Sequence, residues 1–364
     1  MRRGANDPHR PRWSPSLSGQ GLAADAPAPP AGDLAQPARP FIPEEDHGRR
    51  QPALVVAIRA ASRVHDPRRR DALVRLALAA ARSRTGGEAT LVELDDPGGL
   101  RETVAGAVAA GAPLVVVLGG DGSQREAAGA LAGTGVPLGI VPAGTANLFA
   151  ASVGIPRRPE DAVRAIAAGT VRALDLGATR ALSGGPSPGI APATVLVAMG
   201  TGFDARVMAN TGHGAKRRLG TLAYFATGLR ELPRARPFGV ELEIDGVRHE
   251  TAALAVLVAN TGQLLPGLLG PRLAVDPSDG LLDVLVVRGA GPFSGLRSGL
   301  LHLVRGREDT AVADWGARIR GRSIRLWSDP PQPVEIDGDV VGAGAFEVEV
   351  RPSVLRVVFP ARRR

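Results

Sequence analysis

With 364 residues, 44% hydrophobic but only 3% aromatic, the chain has enough apolar matter for two domains, whose cores must be built from Ala, Val, Leu and Ile. The absence of cysteine excludes disulfides, thiolate metal sites and a Cys nucleophile, and the 6 histidines form no pair at metal-ligand spacing. A formal net charge of +8, carried by 44 Lys and Arg residues, points to anionic partners (nucleotides, anionic lipid surfaces or nucleic acid) without choosing among them.

No stretch approaches the roughly 18 uninterrupted apolar residues of a spanning helix, and the first residues carry no apolar signal core. A cytoplasmic location is therefore expected, compatible with peripheral contact at the inner face of a membrane. Residues 1–51 are rich in Pro, Ala, Arg and Gly without hydrophobic period, and are expected to form a disordered leader.

Leu54–Ile58 reads as a buried strand, followed by a loop, Arg59-Ala60-Ala61-Ser62-Arg63. Asp66-Pro67 supplies a cap and an N1 proline for a helix through about Ser83, whose Leu73, Leu76, Ala77 and Ala80 recur at helical spacing. Ala89–Leu94 predicts a second strand, and Leu100–Ala110 a second helix ending at Gly111. The Val-rich run Leu114–Leu118 predicts a third strand, which passes at once into Gly119-Gly120-Asp121-Gly122-Ser123 and a helix over Gln124–Leu131 with Ser123 as its cap. Val136–Val141 repeats the device. That strand leads into Pro142-Ala143-Gly144-Thr145-Ala146-Asn147, a helix start, and a further helix over Pro159–Ala168.

This alternation predicts a parallel sheet with helices on both faces over residues 52–170. Ligands of such sheets bind beyond the carboxyl ends of the strands, where both glycine loops fall. Glycines there let backbone N–H groups approach a phosphate. Asp121 would repel a bare anion, so its presence favours Mg-nucleotide, although a tight strand–helix turn accounts for the stretch equally well. Thr145 and Asn147 add uncharged hydrogen-bonding groups, or form an ordinary capped helix start.

From Val171 to about 360 the pattern becomes short alternating strands, expected as a mostly antiparallel second domain whose last strand is free to return to the first: Ala173–Leu176, Thr194–Met199, Gly239–Ile244, Ala252–Val258, Leu282–Val287, Ser323–Trp327, Pro333–Ile336, Phe346–Val350 and Val354–Phe359. A helical insertion over about Lys216–Leu232 mixes Arg and Lys with Leu, Tyr and Phe; it suits a solvated helix on the sheet, or less readily a membrane surface.

Taken together, Gly119–Ser123 and Gly139–Asn147 resemble the diacylglycerol kinase / sphingosine kinase catalytic family, especially its bacterial lipid kinases. Further segments match in order: Gly200-Thr201-Gly202-Phe203-Asp204-Ala205, Val258-Ala259-Asn260-Thr261-Gly262-Gln263, Asp279-Gly280-Leu281-Leu282-Asp283-Val284 and Val334-Glu335-Ile336-Asp337-Gly338-Asp339. The resemblance covers about residues 54–360. A lone glycine loop of this kind is weak, because NAD kinases and phosphofructokinases carry similar strings; the ordered set is specific.

The resemblance implies an α/β nucleotide-binding domain, a β-sandwich-like domain, and ATP in the cleft between them. It implies that Ser62, Gly119, Gly120, Asp121, Gly122, Ser123, Gln124, Arg125 and Glu126, with Gly144, Thr145 and Asn147, line the nucleotide. It assigns Asp339 as the base that takes the proton from the acceptor hydroxyl, with Asp337 holding its geometry and Asp121 also in the catalytic group. It gives Asp279 a structural Mg2+, held also by main-chain oxygens near Asp276 and Leu281, besides the Mg2+ that travels with ATP. The expected acceptor is diacylglycerol or a related lipid alcohol at a membrane surface, and no nucleic acid is implied. Asp337-Gly338 and Asp279-Gly280 are also common hairpin-turn pairs.

The sequence departs from the family pattern in places. The first loop, usually Asn-Pro-x-Ser-Gly, keeps only Ser62; the usual Asn after the glycine loop is Arg125; Leu148 replaces an Asp; and the usual catalytic Glu is Asp339. An NAD kinase-like or other soluble small-molecule kinase, and a catalytically impaired nucleotide- or lipid-binding homologue, are the alternatives.

Overall fold

In the computed structural model, the described residues are 51–59, 66–182, 190–202, 236–262, 274–288 and 316–361. Strand β1 (Ala53–Ile58) is buried along its whole length, as a strand covered on both faces must be. Its alternate residues go to opposite cores: Leu54, Val56 and Ile58 to one, Ala53, Val55 and Ala57 to the other. Helix α1 (Pro67–Thr85) starts where the chain predicts, with the Asp66 side chain accepting from the Arg68 N–H at 3.0 Å, and ends at Gly86 with φ 64°. It covers the second face with Leu73, Val74 and Ala77, joined by Val163 and Ile166 from a later helix, Pro159–Ala168.

The chain continues through β2 (Ala89–Leu94), α2 (Leu100–Ala109), β3 (Val115–Gly119), α3 (Asp121–Leu131), β4 (Leu138–Pro142), α4 (Leu148–Ser152) and α5 (Pro159–Ala168). Strands β2, β1, β3 and β4 lie in that order and pair in parallel. Both glycine loops leave the carboxyl ends of adjacent strands.

Twelve further strands follow among the described residues: β5 (Thr170–Ala181), β6 (Thr194–Val195), β7 (Ala198–Gly202), β8 (Phe238–Ile244), β9 (Val247–Ala253), β10 (Ala255–Ala259), β11 (Leu282–Val287), β12 (Gly316–Gly321), β13 (Ser323–Asp329), β14 (Pro333–Ile336), β15 (Asp339–Ala343) and β16 (Phe346–Phe359). Strand β16 meets β4 in parallel at Val357 and Leu138, and runs antiparallel to β5 and β13; through β13 the first sheet extends to β8 and β9. The second sheet, in the order β12-β11-β10-β7-β14-β15, is antiparallel. Val240, Leu242, Ile324, Leu326, Phe346 and Val348 of the first sheet share a core with Met199, Val256, Val258, Val284, Val334 and Ile336 of the second. The fold is thus a parallel-rich α/β domain with a sandwich-like antiparallel domain.

Several boundaries differ from the sequence reading. Helix α3 begins at Asp121 rather than Gln124, with Gly120 as N-cap and no side-chain cap from Ser123. The apolar run Ala252–Val258 divides between β9 and β10, because at Leu254 the chain passes from one sheet to the other. Thr194–Met199 divides into β6 and β7, because the amides of Leu196, Val197 and Ala198 are taken by the Asp337 carboxylate. The two closing strands are one, β16, whose register shifts between Arg351 and Leu355, with Ser353 at φ 54°. The leader through residue 50, Ser62, Phe203–Ala205 and the helical insertion over 216–232 lie outside the described residues. No described helix is long and apolar enough to cross a membrane.

Candidate nucleotide and acceptor site

The first N–H groups of α3 have no intrahelical partner and carry the positive end of the helix dipole. Here they open directly from the glycine loop. The loop is shaped by close approach: a Cβ on Gly144 would lie 2.3 Å from the Gly120 Cα, and one on Gly119 would lie 2.6 Å from the Ser123 side chain. Only glycine lets the two loops touch at Gly120 and Gly144. Gly122, by contrast, has open space where a Cβ would be, so the first turn of α3 is approachable at that point.

Asp121 joins the same two loops. Its Oδ1 accepts from the Phe149 N–H at 3.3 Å at the start of α4. Burial pushes its carboxyl above the usual Asp value, against the lowering effect of the amides of Phe149, Leu148 and Asn147. Asn147, in the left-handed region at φ 51°, ties down the second loop: its Oδ1 accepts from Gly144 N–H at 3.0 Å and its Nδ2 donates to Gly144 C=O at 2.6 Å. Thr145 is exposed at the loop tip.

The side chains after the loop divide by burial. Ser123 and Gln124 are buried, and Gln124 Nε2 lies 3.4 Å from Gly119 C=O while its Oε1 finds no partner among the described residues. They pack under the loop, so a bound ligand would meet their backbone. Glu126 pairs with Arg101 of α2 at 2.9 Å. Arg125 reaches into the second sheet: Nη1 donates to Ile336 C=O at 3.0 Å and Nη2 to Asp339 Oδ2 at 3.0 Å.

Ile336 and Asp339 flank the β14–β15 turn. Asp337 and Gly338 form it at φ 51° and φ 91°, and Gly338 N–H donates to Glu335 Oε2 at 2.8 Å. The Asp337 carboxylate accepts from Leu196, Val197 and Ala198 N–H at 3.0, 2.7 and 3.1 Å. Burial pushes its pKa up to about 6, although those amides and Arg125 oppose the shift. Asp339 instead has a side chain 59% exposed. Of the two acids of the turn, Asp339 is the exposed one and Asp337 is half-buried.

The residues expected to hold a structural metal are otherwise engaged. Asp276 Oδ1 accepts from the Ser278 N–H at 3.0 Å and its hydroxyl at 2.6 Å. Asp279 accepts from Leu281 N–H at 3.1 Å and is ion-paired with Arg320. The loop is anchored from beneath by Asp175, a fully buried carboxylate that accepts from Gly280 N–H and, at the β16 register shift, Ser353 N–H, both at 2.7 Å. Among the described residues no three His, Cys, Asp or Glu side chains converge as a metal site. The expected set is one carboxylate, Asp279, with main-chain oxygens near Asp276 and Leu281, and Arg320 stands beside that carboxylate. Asp175 and Arg320 were not found from the sequence, since nothing local marks an acid or an arginine of an alternating strand as a partner to a distant loop.

Comparison with known proteins agrees with this architecture. Residues 69–179 match the diacylglycerol kinase catalytic domain, and residues 197–359 match the YegS C-terminal NAD kinase beta sandwich-like domain. A Stenotrophomonas maltophilia protein named "Probable lipid kinase YegS-like" is 32% identical over 222 residues, covering 60% of this chain and 68% of that protein. An uncharacterized Synechocystis protein is 28% identical over 60% of this chain, and the match spans about half (48%) of its length. A crystal structure of a Bacillus anthracis diacylglycerol kinase superposes with a TM-score of 0.63 at 17% identity, covering 85% of this chain and 97% of that one, a likeness of fold. The fold and the matched family models are those of a lipid-kinase-like phosphotransferase. The chain belongs to the YegS-like lipid kinase family with a diacylglycerol kinase catalytic domain.

Proposed function

We propose that the chain transfers the γ-phosphoryl group of ATP to a hydroxyl of diacylglycerol or a related lipid alcohol at a membrane surface. The observation that carries this reading is the Arg125 bridge: the helix opened by the glycine loop and the exposed acid Asp339 lie one side chain apart. Phosphates would sit against the first turn of α3, where unpaired N–H groups and the helix dipole favour anions and Gly122 leaves room. Thr145, exposed on the adjoining loop, would add a hydroxyl.

The acceptor hydroxyl would approach Asp339. As its oxygen attacks the γ-phosphorus, its proton passes to the Asp339 carboxylate and the bond to the bridging oxygen of ADP breaks. Mg2+ entering with ATP would neutralise phosphate charge. Asp337, enclosed by backbone amides, would fix the turn without touching substrate, and Asp121 would keep the two glycine loops together.

The test is incubation of the purified chain with labelled Mg-ATP and a broad set of lipid alcohols, followed by organic extraction. Label in the organic phase, lost in Asp339→Ala, supports the reading. Phosphorylation of NAD in aqueous solution would replace it with a soluble kinase. Lipid binding without any turnover would replace it with an impaired binding homologue.

A further inference from the structure

We infer that Arg125 is a positioning residue that holds Asp339 in register with the phosphate-binding turn, an inference that rests on the kinase reading above. Arg125 lies one helical turn beyond Asp121 on α3, so its backbone is fixed relative to the loop that would carry the phosphates. Its side chain is only 17% exposed. Two nitrogens of one planar guanidinium are used on two different acceptors, Ile336 C=O and Asp339 Oδ2, which sets the orientation of the turn as well as its distance. The contact is also selective between carboxylate oxygens. Oδ2 is held by Arg125, while Oδ1 takes no hydrogen bond from a described residue and remains for the acceptor proton.

The alternative role for Arg125, a charge spent directly on the nucleotide, makes the opposite kinetic prediction. A positioning residue affects the reacting geometry and leaves donor binding alone. Misplacement of a catalytic group by about an ångström costs on the order of 100-fold in rate. No further reactant is needed: the proton moves from the acceptor oxygen to Asp339 Oδ1, and the γ-phosphoryl group moves from ATP to that oxygen, releasing ADP.

The experiment is steady-state kinetics on the lipid alcohol that gives the highest wild-type rate, with Arg125→Ala, Arg125→Lys, Asp339→Asn and the Arg125→Ala/Asp339→Asn pair. Arg125→Ala is expected to lower kcat about 10- to 100-fold with KM for ATP within about 3-fold of wild type. Millimolar guanidinium should restore part of that rate, and Arg125→Lys should fall between the two. In the Asp339→Asn background, Arg125→Ala should add little. A raised KM for ATP with unchanged kcat, or full additivity of the two changes, would overturn the inference while leaving the kinase reading intact. A wild-type chain that labels no lipid alcohol overturns both. Should Arg125→Ala fail to fold, Arg125→Lys and Asp339→Asn still provide the KM–kcat split.

Discussion

Asp337 is held by three backbone amides, whereas Asp339, two residues on, is open to solvent and held through one oxygen only. The two acids consequently answer different measurements. Removing the Asp337 carboxylate in Asp337→Ala leaves three amides without their acceptor and should cost about 1–3 kcal/mol of stability in urea unfolding. The Asp337 pKa is raised from 3.8 to about 6. Its contribution to stability is therefore complete below the unfolded value and is lost as pH rises through about 6. Unfolding of Asp337→Asn should lack this part of the pH dependence between about pH 4 and 7. Identical pH profiles for wild type and variant would contradict the burial argument.

At the scale of elements, the glycine loops depend on contact between β3–α3 and β4–α4. A Cβ at Gly144 would meet backbone, which has no rotamer to yield. Gly144→Ala should separate the loops and weaken ATP binding by about tenfold or more, as read by titration calorimetry, a loss of roughly 1.4 kcal/mol or more. Unchanged affinity would mean that the loop contact does not shape the site. The Asp276–Leu281 loop is anchored by Asp175 and neutralised by Arg320. Under the proposed Mg-ATP-dependent transfer, adding a chelator should stop turnover but leave the melting temperature unchanged; a fall in melting temperature reversed by Mg2+ would contradict this account. The elements were legible wherever the signal was local. Asp66-Pro67, Ala89–Leu94, Pro159–Ala168, Leu282–Val287 and Pro333–Ile336 could be read from caps, breaks and hydrophobic period. What escaped was set by partners distant in sequence. Leu254 lies inside an apolar run with no turn residue, yet the chain changes sheet there. β12 and β15 take their strand character from β11 and β14. The ion-pair row Arg180–Glu347–Arg325–Glu243–Arg248 crosses five strands and is invisible in any one of them. The two glycine loops and the Asp337–Asp339 turn could be read as motifs, but the reach of Arg125 from one to the other could not, because its partners lie 211 and 214 residues away.

Across the whole molecule, β16 joins the parallel strands to the sandwich: it pairs with β4 at one end and with β13 at the other, and with β5 along most of its length. The glycine-loop helix and the Asp337–Asp339 turn belong to different sheets of this framework, and Arg125 spans the gap between them. That arrangement suits transfer between a donor held on one side and an acceptor presented from the other. The formal charge of +8 is suited to an anionic nucleotide and an anionic membrane surface alike. The most direct measurement is transfer of labelled γ-phosphate from Mg-ATP into organic-extractable lipid by the wild-type chain and by Asp339→Ala. The account predicts label with wild type and a loss of about 100-fold or more with the variant. Equal labelling by the two, or none with wild type across a broad lipid extract, would contradict it.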